Sequence, residues 1–219
     1  MVCSSPVPAK LDFPCDSAGL NHSTSRLRAP TPVFQDRDNR EFIHRINAED
    51  RICFLNDAWL RFAEENDWRS GAERVLGTPI MSQIADPETR HIYRLLIDRA
   101  REGARTVRFP YRCDSPAMRR FMEMRVSSTE PGTVEFRSRV LRLEPREPIR
   151  LLEPGLQDRR GDSLQICSWC KSICAGSAWI EVEDALQSLR ILAAGALPQL
   201  SHGICPSCSH RMTQAYEAL

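Results

Sequence analysis

Polar and apolar positions change rhythm along this chain, and each rhythm predicts an element. From Arg40 a two-residue alternation sets Phe42, His44 and Ile46 on one side of a strand; the polar Asn47-Ala-Glu-Asp50 follows, and Arg51 to Leu55 resumes an extended apolar run. Together these predict a β-hairpin. Asn56 or Asp57 is placed to cap a helix in which Trp59, Phe62 and Ala63 fall at i, i+3 and i+4, ending near the polar Glu64 to Asp67. Short helical pieces and turns, punctuated by Gly71, Gly77 and Pro79, come next. A longer helix starts after Asp86-Pro87, where proline suits the first turn, and carries Ile92, Tyr93, Leu96, Ile97 and Ala100 as far as Gly103.

Strands return at 104–112, 119–129 and 133–143, with Pro131-Gly132 as the turn between the last two. Phe121, Glu123, Arg125 and Ser127 alternate with Met122, Met124, Val126 and Ser128, which gives one charged and one apolar face. That is the pattern of a half-buried antiparallel sheet. Residues 145–162, with Pro145, Pro148, Pro154, Gly155 and Gly161, read as a linker. Beyond it Trp179, Val182, Leu186 and Leu189 recur at helical spacing, with Ser177 as a candidate cap and Glu181, Glu183 and Asp184 placing acid in the first turns. A helix is predicted there.

The 219 residues leave room for one ordinary domain and one small one. Thirty basic against 29 acidic residues give a formal charge of +1, so no global charge drives the chain toward nucleic acid or an anionic membrane. Regionally, 104–150 holds 11 arginines against 6 acids (net +5), 38–103 holds 10 basic against 13 acidic (net −3), and 151–219 holds 5 against 7 (net −2). Residues 1–37, with Pro6, Pro8, Pro14, Pro30 and Pro32 among Ser, Thr and Asn, read as a disordered tail. That tail lacks a basic start with an apolar run, and no stretch approaches the ~18 apolar residues of a membrane span. A cytoplasmic protein without membrane contact is expected.

The strongest chemical signal is a pair of Cys-x-x-Cys motifs, Cys167-Ser-Trp-Cys170 and Cys205-Pro-Ser-Cys208. Each sets two thiolates on one tight turn, and two such turns make the tetrahedral sulfur cage that zinc prefers. Nine cysteines, an odd number, agree with metal ligands plus thiols better than with a disulfide framework. Residues 171–204, 34 in all, separate the pairs, more than the roughly 15 to 20 of common zinc ribbons. Something folded must fill the gap, and the expected module at 163–219 is knuckle, helix, loop, knuckle, tail helix. About 57 residues form too small a core to stand without the metal. Cys174 and His202 lie near enough in sequence to serve as alternative ligands or, for His202, as a hydrogen-bond donor to a coordinated sulfur. Trp169, inside the first knuckle, reads as a core or a partner-facing aromatic.

The order of elements over 38–144 resembles a PAS domain, and Phe54-Leu-Asn-Asp-Ala-Trp-Leu-Arg-Phe-Ala63 looks like the passage from the second PAS strand into the first helix. Tyr111-Arg-Cys-Asp-Ser-Pro116 with Arg119-Arg120, then Cys167-Ser-Trp-Cys-Lys171, Trp179, Glu183 and Ser201-His-Gly-Ile-Cys-Pro-Ser-Cys208, resembles bacterial PAS proteins. The last segment also resembles a small zinc-ribbon-like element appended to response regulators and sensor proteins. The resemblance implies an α+β protein: a PAS-like five-stranded antiparallel sheet with helices on one face, plus a small helical zinc-knuckle module. It further implies a pocket for an unidentified small ligand between sheet and helices, and a homodimer.

Other residues offer weaker chemistry. No flavin-photosensor cysteine motif is present, and a haem would have to use His91, which reads better as a surface or capping residue. Cys53 and Cys113 read as small apolar fillers. Arg112, Cys113, Asp114, Arg119 and Arg120 are the candidate ligand or partner site, either a reactive thiol among arginines, an anion site, or a turn tied by arginine–aspartate links. No Ser/His/Asp set, phosphate-binding glycine loop or paired carboxylates stand out, so catalysis is not expected. The chain then reads as a signalling adaptor with structural zinc and a protein partner. The alternative is a nucleic-acid-binding regulator using the knuckles and the arginine-rich sheet, which the net −2 of the C-terminal region disfavours.

Overall fold

The computed structural model describes residues 40–66, 74–103, 106–153, 159–189, 191 and 197–217. The tail expected at 1–37 and the turn at Gly71 lie outside the described residues.

Strands β1 (Glu41–Ile46) and β2 (Ile52–Leu55) form the expected hairpin, followed by α1 (Asp57–Glu65), α2 (Pro87–Glu102), β3 (Val107–Arg112), β4 (Met118–Glu130) and β5 (Thr133–Pro145). Asn56 caps α1: its side chain accepts from the Trp59 N–H at 2.9 Å and the Ile43 N–H at 3.1 Å, and donates to the Glu41 carbonyl at 2.8 Å. One side chain thus fixes both the start of α1 and its position against β1. Asp86 caps α2 through the Thr89 N–H at 2.7 Å. Gly132 takes φ +80 in the β4–β5 turn, where an added Cβ would also meet Ala48 at 3.0 Å.

These five strands make one antiparallel sheet in the order β2-β1-β5-β4-β3, the PAS-like α+β arrangement with helices on one face. The inward side chains Phe42, Ile46, Met122, Met124, Val126, Val134 and Phe136 pack against Trp59, Tyr93, Leu96, Ile97 and Ala100 of the helices. The outward face is charged and internally paired. Arg45 and Arg137 both bind Glu135, Arg137 also binds Glu41, and Arg125 and Arg139 share Glu123 at 3.1 and 3.0 Å. The arginines that give the segment its basic excess are therefore largely matched across strands.

The C-terminal region contains a second sheet that the sequence reading did not foresee. Strands β6 (Arg159–Cys167), β7 (Ile173–Ala175), β8 (Ala178–Ile180) and β9 (Leu197–Gly203) line up as β8-β7-β6-β9, with α3 (Val182–Ser188) before β9 and α4 (Pro206–Glu217) after it. The helix expected to include Trp179 begins only at Val182. Gly176, at φ +66, reverses the chain between β7 and β8, and Cys174 pairs with Trp179 across that hairpin. Strand pairing satisfies a backbone that the 3-4-3 spacing had assigned to a helix, and Ser177 sits in the turn instead of capping. The segment 145–162, expected as a linker, is partly built into the body. The Arg146 N–H donates to the Ala117 carbonyl and the Ile149 N–H to the Pro116 carbonyl, each at 3.0 Å, and Ile149 and Leu151 are buried with Ile166, Ile173, Val182 and Ala185 in a second core.

Candidate metal centre

The long spacing between the cysteine pairs has a topological cause. β6 and β9 are parallel neighbours, with Cys167 opposite Gly203. Parallel strands cannot be joined by a tight turn and need a crossover of a dozen residues or more. The chain between the pairs supplies β7, β8 and α3 as that crossover, and the register sets the two knuckles side by side. The Ser168 N–H donates to the Gly203 carbonyl at 2.8 Å, Cys167 ends β6, and Cys205 and Cys208 flank the start of α4. In the first knuckle the chain closes on itself: the Lys171 N–H donates to the Cys167 carbonyl at 3.0 Å, and Lys171 takes φ 64 to make the reversal.

The sulfurs of Cys167, Cys170, Cys205 and Cys208 all lie within 4.8 Å of one another, and none of the four is in a disulfide. The Cys170–Cys205 sulfur distance is 3.7 Å. A tetrahedral ion with metal–sulfur bonds of about 2.3 Å requires sulfur–sulfur edges of about 3.8 Å, so the cage is close to that geometry. Its donors also favour negative sulfur. The Cys205 N–H points at the Cys167 sulfur and the Cys208 N–H at the Cys205 sulfur, each at 3.4 Å, and an Arg211 N–H reaches the Cys208 sulfur at 2.9 Å. Crowding polarises the thiols. Hydrogen bonds from Cys167 and Cys208 hold the Cys170 pKa well below the thiol range. Donating to Cys170 pushes Cys167 up to about 11, and donating to Cys167 and Cys170 raises Cys208 as well. A dicationic ion is what allows more than one thiolate to persist at this spacing, and the residues present fit one.

Neither alternative ligand joins the cage among the described residues. Cys174 lies on β7, its sulfur 3.6 Å from the Gly176 carbonyl, because the β7–β8 hairpin carries it away. His202 lies on β9 opposite Ile166, and burial, with nearby Lys171, pushes its pKa down to about 4.

The first knuckle reaches beyond its own module. Trp169 is 3% exposed and belongs to the core of the first sheet, its ring 5.9 Å from Tyr93 and edge-on to Phe109 at 5.1 Å. Its core role was legible; that the core in question is the PAS-like one was not.

The Arg112 to Arg120 cluster is drawn into the same seam. Arg112 is paired to Asp114 and, at 2.7 Å, to Glu181; Arg146 binds Asp114 and Glu183, both at 3.2 Å; Arg119 binds Glu183 at 2.8 Å. Burial opposes the Arg112 charge, yet Asp114 and Glu181 hold its pKa above the ordinary value. Cys113 is 3% exposed and disulfide-bonded, so it offers no free thiol among these arginines and is more than an apolar filler. Arg120 stands apart from the ion pairs: it donates to the Cys113 carbonyl at 3.2 Å and lies over the Phe62 ring. The arrangement is that of an arginine-tied turn whose partner carboxylates, Glu181 and Glu183, come from the four-cysteine module. Sequence reasoning placed those acids in a helix start and missed Arg146 altogether. Alternating acids at 181 and 183 opposite an arginine-rich strand connection were the available signal. His91, the remaining haem candidate, is exposed on α2.

No protein-family model matches the chain, and no curated protein matches it. Among solved structures, a domain of an HTR-like protein from Haloarcula marismortui is similar at 13% identity, covering 47% of this chain and 98% of its own, with a TM-score of 0.34. A sensory box sensor histidine kinase from Vibrio cholerae is similar at 14% identity, covering 50% and 86%, with a TM-score of 0.37. No helix among the described residues is long and apolar enough to cross a membrane.

Proposed function

We propose that the chain is a cytoplasmic signalling adaptor in which a PAS-like domain senses a ligand or a partner and a zinc-stabilised module relays the event to a protein partner. The observation that carries this reading is Trp169. It lies between two of the four cysteines and is buried in the core of the first sheet, so a change in either unit is felt by the other. Zinc is the ion assigned, because four thiolates in a tetrahedral cage suit a soft-tolerant ion with no redox demand. The role is binding and relay, not catalysis, and the active form is a homodimer. Nucleic-acid binding is the weaker reading, since the outward arginines of the first sheet are engaged by Glu41, Glu123 and Glu135.

Metal analysis with proximity labelling of the full chain in its source cytoplasm tests the proposal. One zinc per chain and a kinase or receiver protein labelled by wild type but not by Cys170→Ser support it. Neighbours indifferent to the metal site, or salt-dependent retention on DNA, overturn it.

A further inference from the structure

Rings from three strands and a helix form a continuous series in the first core. His44 of β1 stacks on Phe136 of β5 at 4.6 Å, Phe136 on Tyr93 of α2 at 5.8 Å, and Tyr93 on Trp169 at 5.9 Å, with Phe109 of β3 against Trp169 at 5.1 Å. Every ring but the last belongs to the PAS-like domain. Trp169 comes from the metal knuckle, and two features show how it is held. Its backbone carbonyl accepts the Arg112 N–H at 2.7 Å, and its neighbours in sequence, Cys167 and Cys170, are fixed in the sulfur cage. Its indole nitrogen, by contrast, is buried without a hydrogen-bond partner among the described residues. The recess therefore takes the area of the ring and nothing polar from it, and the buried N–H is a standing cost that release would remove. A cavity of about 200 Å³ lies beside the ring, lined by Phe109, Pro110, Cys208 and Met212 among others, so the indole has open space on the side of the cage.

We infer that Trp169 is an intramolecular occupant of an aromatic recess on the first sheet, kept there by the metal, and that loss of the metal frees the recess for a flat apolar aromatic molecule. This rests on the sensor reading above and gives it a ligand class and a gate. With the cage intact, the knuckle turn leaves Trp169 nowhere else to go. With the ion gone, the Cys167–Cys170 turn loosens, the indole nitrogen regains solvent, and Tyr93, Phe109 and Phe136 remain to line a vacancy about the size of an indole.

Indole itself is the probe, added to the full chain in three forms: metal-loaded wild type, wild type stripped by a chelator, and metal-loaded Trp169→Ala. Stripped wild type and Trp169→Ala should bind indole saturably, with melting temperatures rising by about 3–6 °C at ten times Kd; loaded wild type should not respond. 5-Fluorotryptophan NMR, which separates Trp169 from Trp59, Trp68 and Trp179, should show the Trp169 resonance moving to a solvent-exposed position on stripping and returning when metal is restored. Should Trp169→Ala fail to fold, the stripped wild type carries the test. A Trp169 resonance unmoved by stripping, or a folded Trp169→Ala that ignores indole, overturns the inference. These readouts need no partner, so indole binding without any metal-dependent neighbour in the cell would sink the relay reading and leave the recess standing.

Discussion

The backbone N–H of Arg112 donates to the carbonyl of Trp169 at 2.7 Å, so the outer edge of β3 is continued by the Cys167–Cys170 knuckle. Backbone N–H groups alternate sides along a strand, and Pro110, two residues earlier, therefore has its missing N–H on the same outer edge. A proline in the ladder toward β4 would break it; here it removes a donor from the side where another strand would add. This edge strand of the first sheet is closed by a proline and by the knuckle together, and the four-cysteine module is part of what keeps that edge from pairing elsewhere.

Metal loss should accordingly be felt on both sides of this bond. Cys170→Ser, or chelation, should remove the bound ion and lower the stability of the first core as well as of residues 163–219, by about 3 kcal/mol if Trp169 leaves its site, the range of a buried aromatic lost from a core. Hydrogen exchange at the amides of Tyr93 and Phe109 checks this. Protection there that is unchanged after metal removal, with only the C-terminal region opening, would show two independent units.

The elements of the first sheet were legible because each obeys one period: alternation in β4 places Met122, Met124 and Val126 inward, and the turn residues Asn47 to Asp50 and Pro131-Gly132 fall where the chain reverses. The four clustered cysteines were legible because thiolate chemistry demands paired spacing. The second sheet was not. Its β7 and β8 strands are three residues each, too short for any periodicity, and their pairing depends on Gly176 and on β6, which the sequence reading had divided between linker and knuckle. Nor could spacing alone show that Arg112 meets Glu181, 69 residues away, since β8 is carried to that place by its pairing with β7 and β6, and Arg112 is tied to the knuckle that ends β6.

Arginine substitutions along the seam should differ by burial. The side chains of Arg112 and Asp114 are 7% and 1% exposed, and Arg112→Ala removes one of the two arginines, the other being Arg146, that pair with the Asp114 carboxylate among the described residues. A loss of about 3 kcal/mol is expected, as when one member of a buried pair is removed. Arg119 is 29% exposed and its links to Glu183 and Glu144 are partly solvated, so Arg119→Ala should cost about 0.5 kcal/mol. Chemical denaturation of the two variants measures both. Equal effects, or a stable Arg112→Ala that instead loses a partner, would mark the cluster as a binding site and not a structural seam.

Self-association, if it uses the first sheet, should run through the outer side of β5, where Leu141 is 52% exposed beyond the paired arginines and glutamates. Light scattering at micromolar concentration should give twice the chain mass, and Leu141→Arg should shift it toward the monomer without changing the melting temperature by more than about 1 °C, as for a surface substitution. A monomer at high micromolar concentration would remove the dimer from the reading.

The last expectation concerns acid. Burial holds the His44 pKa well below its ordinary value of 6.5, its ring stacked on Phe136 and its Nε2 without a partner among the described residues. In the folded protein the ring stays neutral where the unfolded chain would already take a proton. Well above pH 6.5 neither state is charged at this residue and stability is at its full value. As pH falls below that point the unfolded state binds the proton first, and stability drops by about 1.4 kcal/mol per pH unit until the folded pKa is reached. His202, pushed down to about 4 by burial, contributes a second slope of the same sign. Between pH 6.5 and about 5, above the range where carboxylates take over, His44→Phe should therefore roughly halve the pH dependence of the unfolding free energy while keeping the stack on Phe136. Denaturant titrations at half-unit steps across that window make the comparison, and an unchanged slope in His44→Phe would place the acid sensitivity elsewhere.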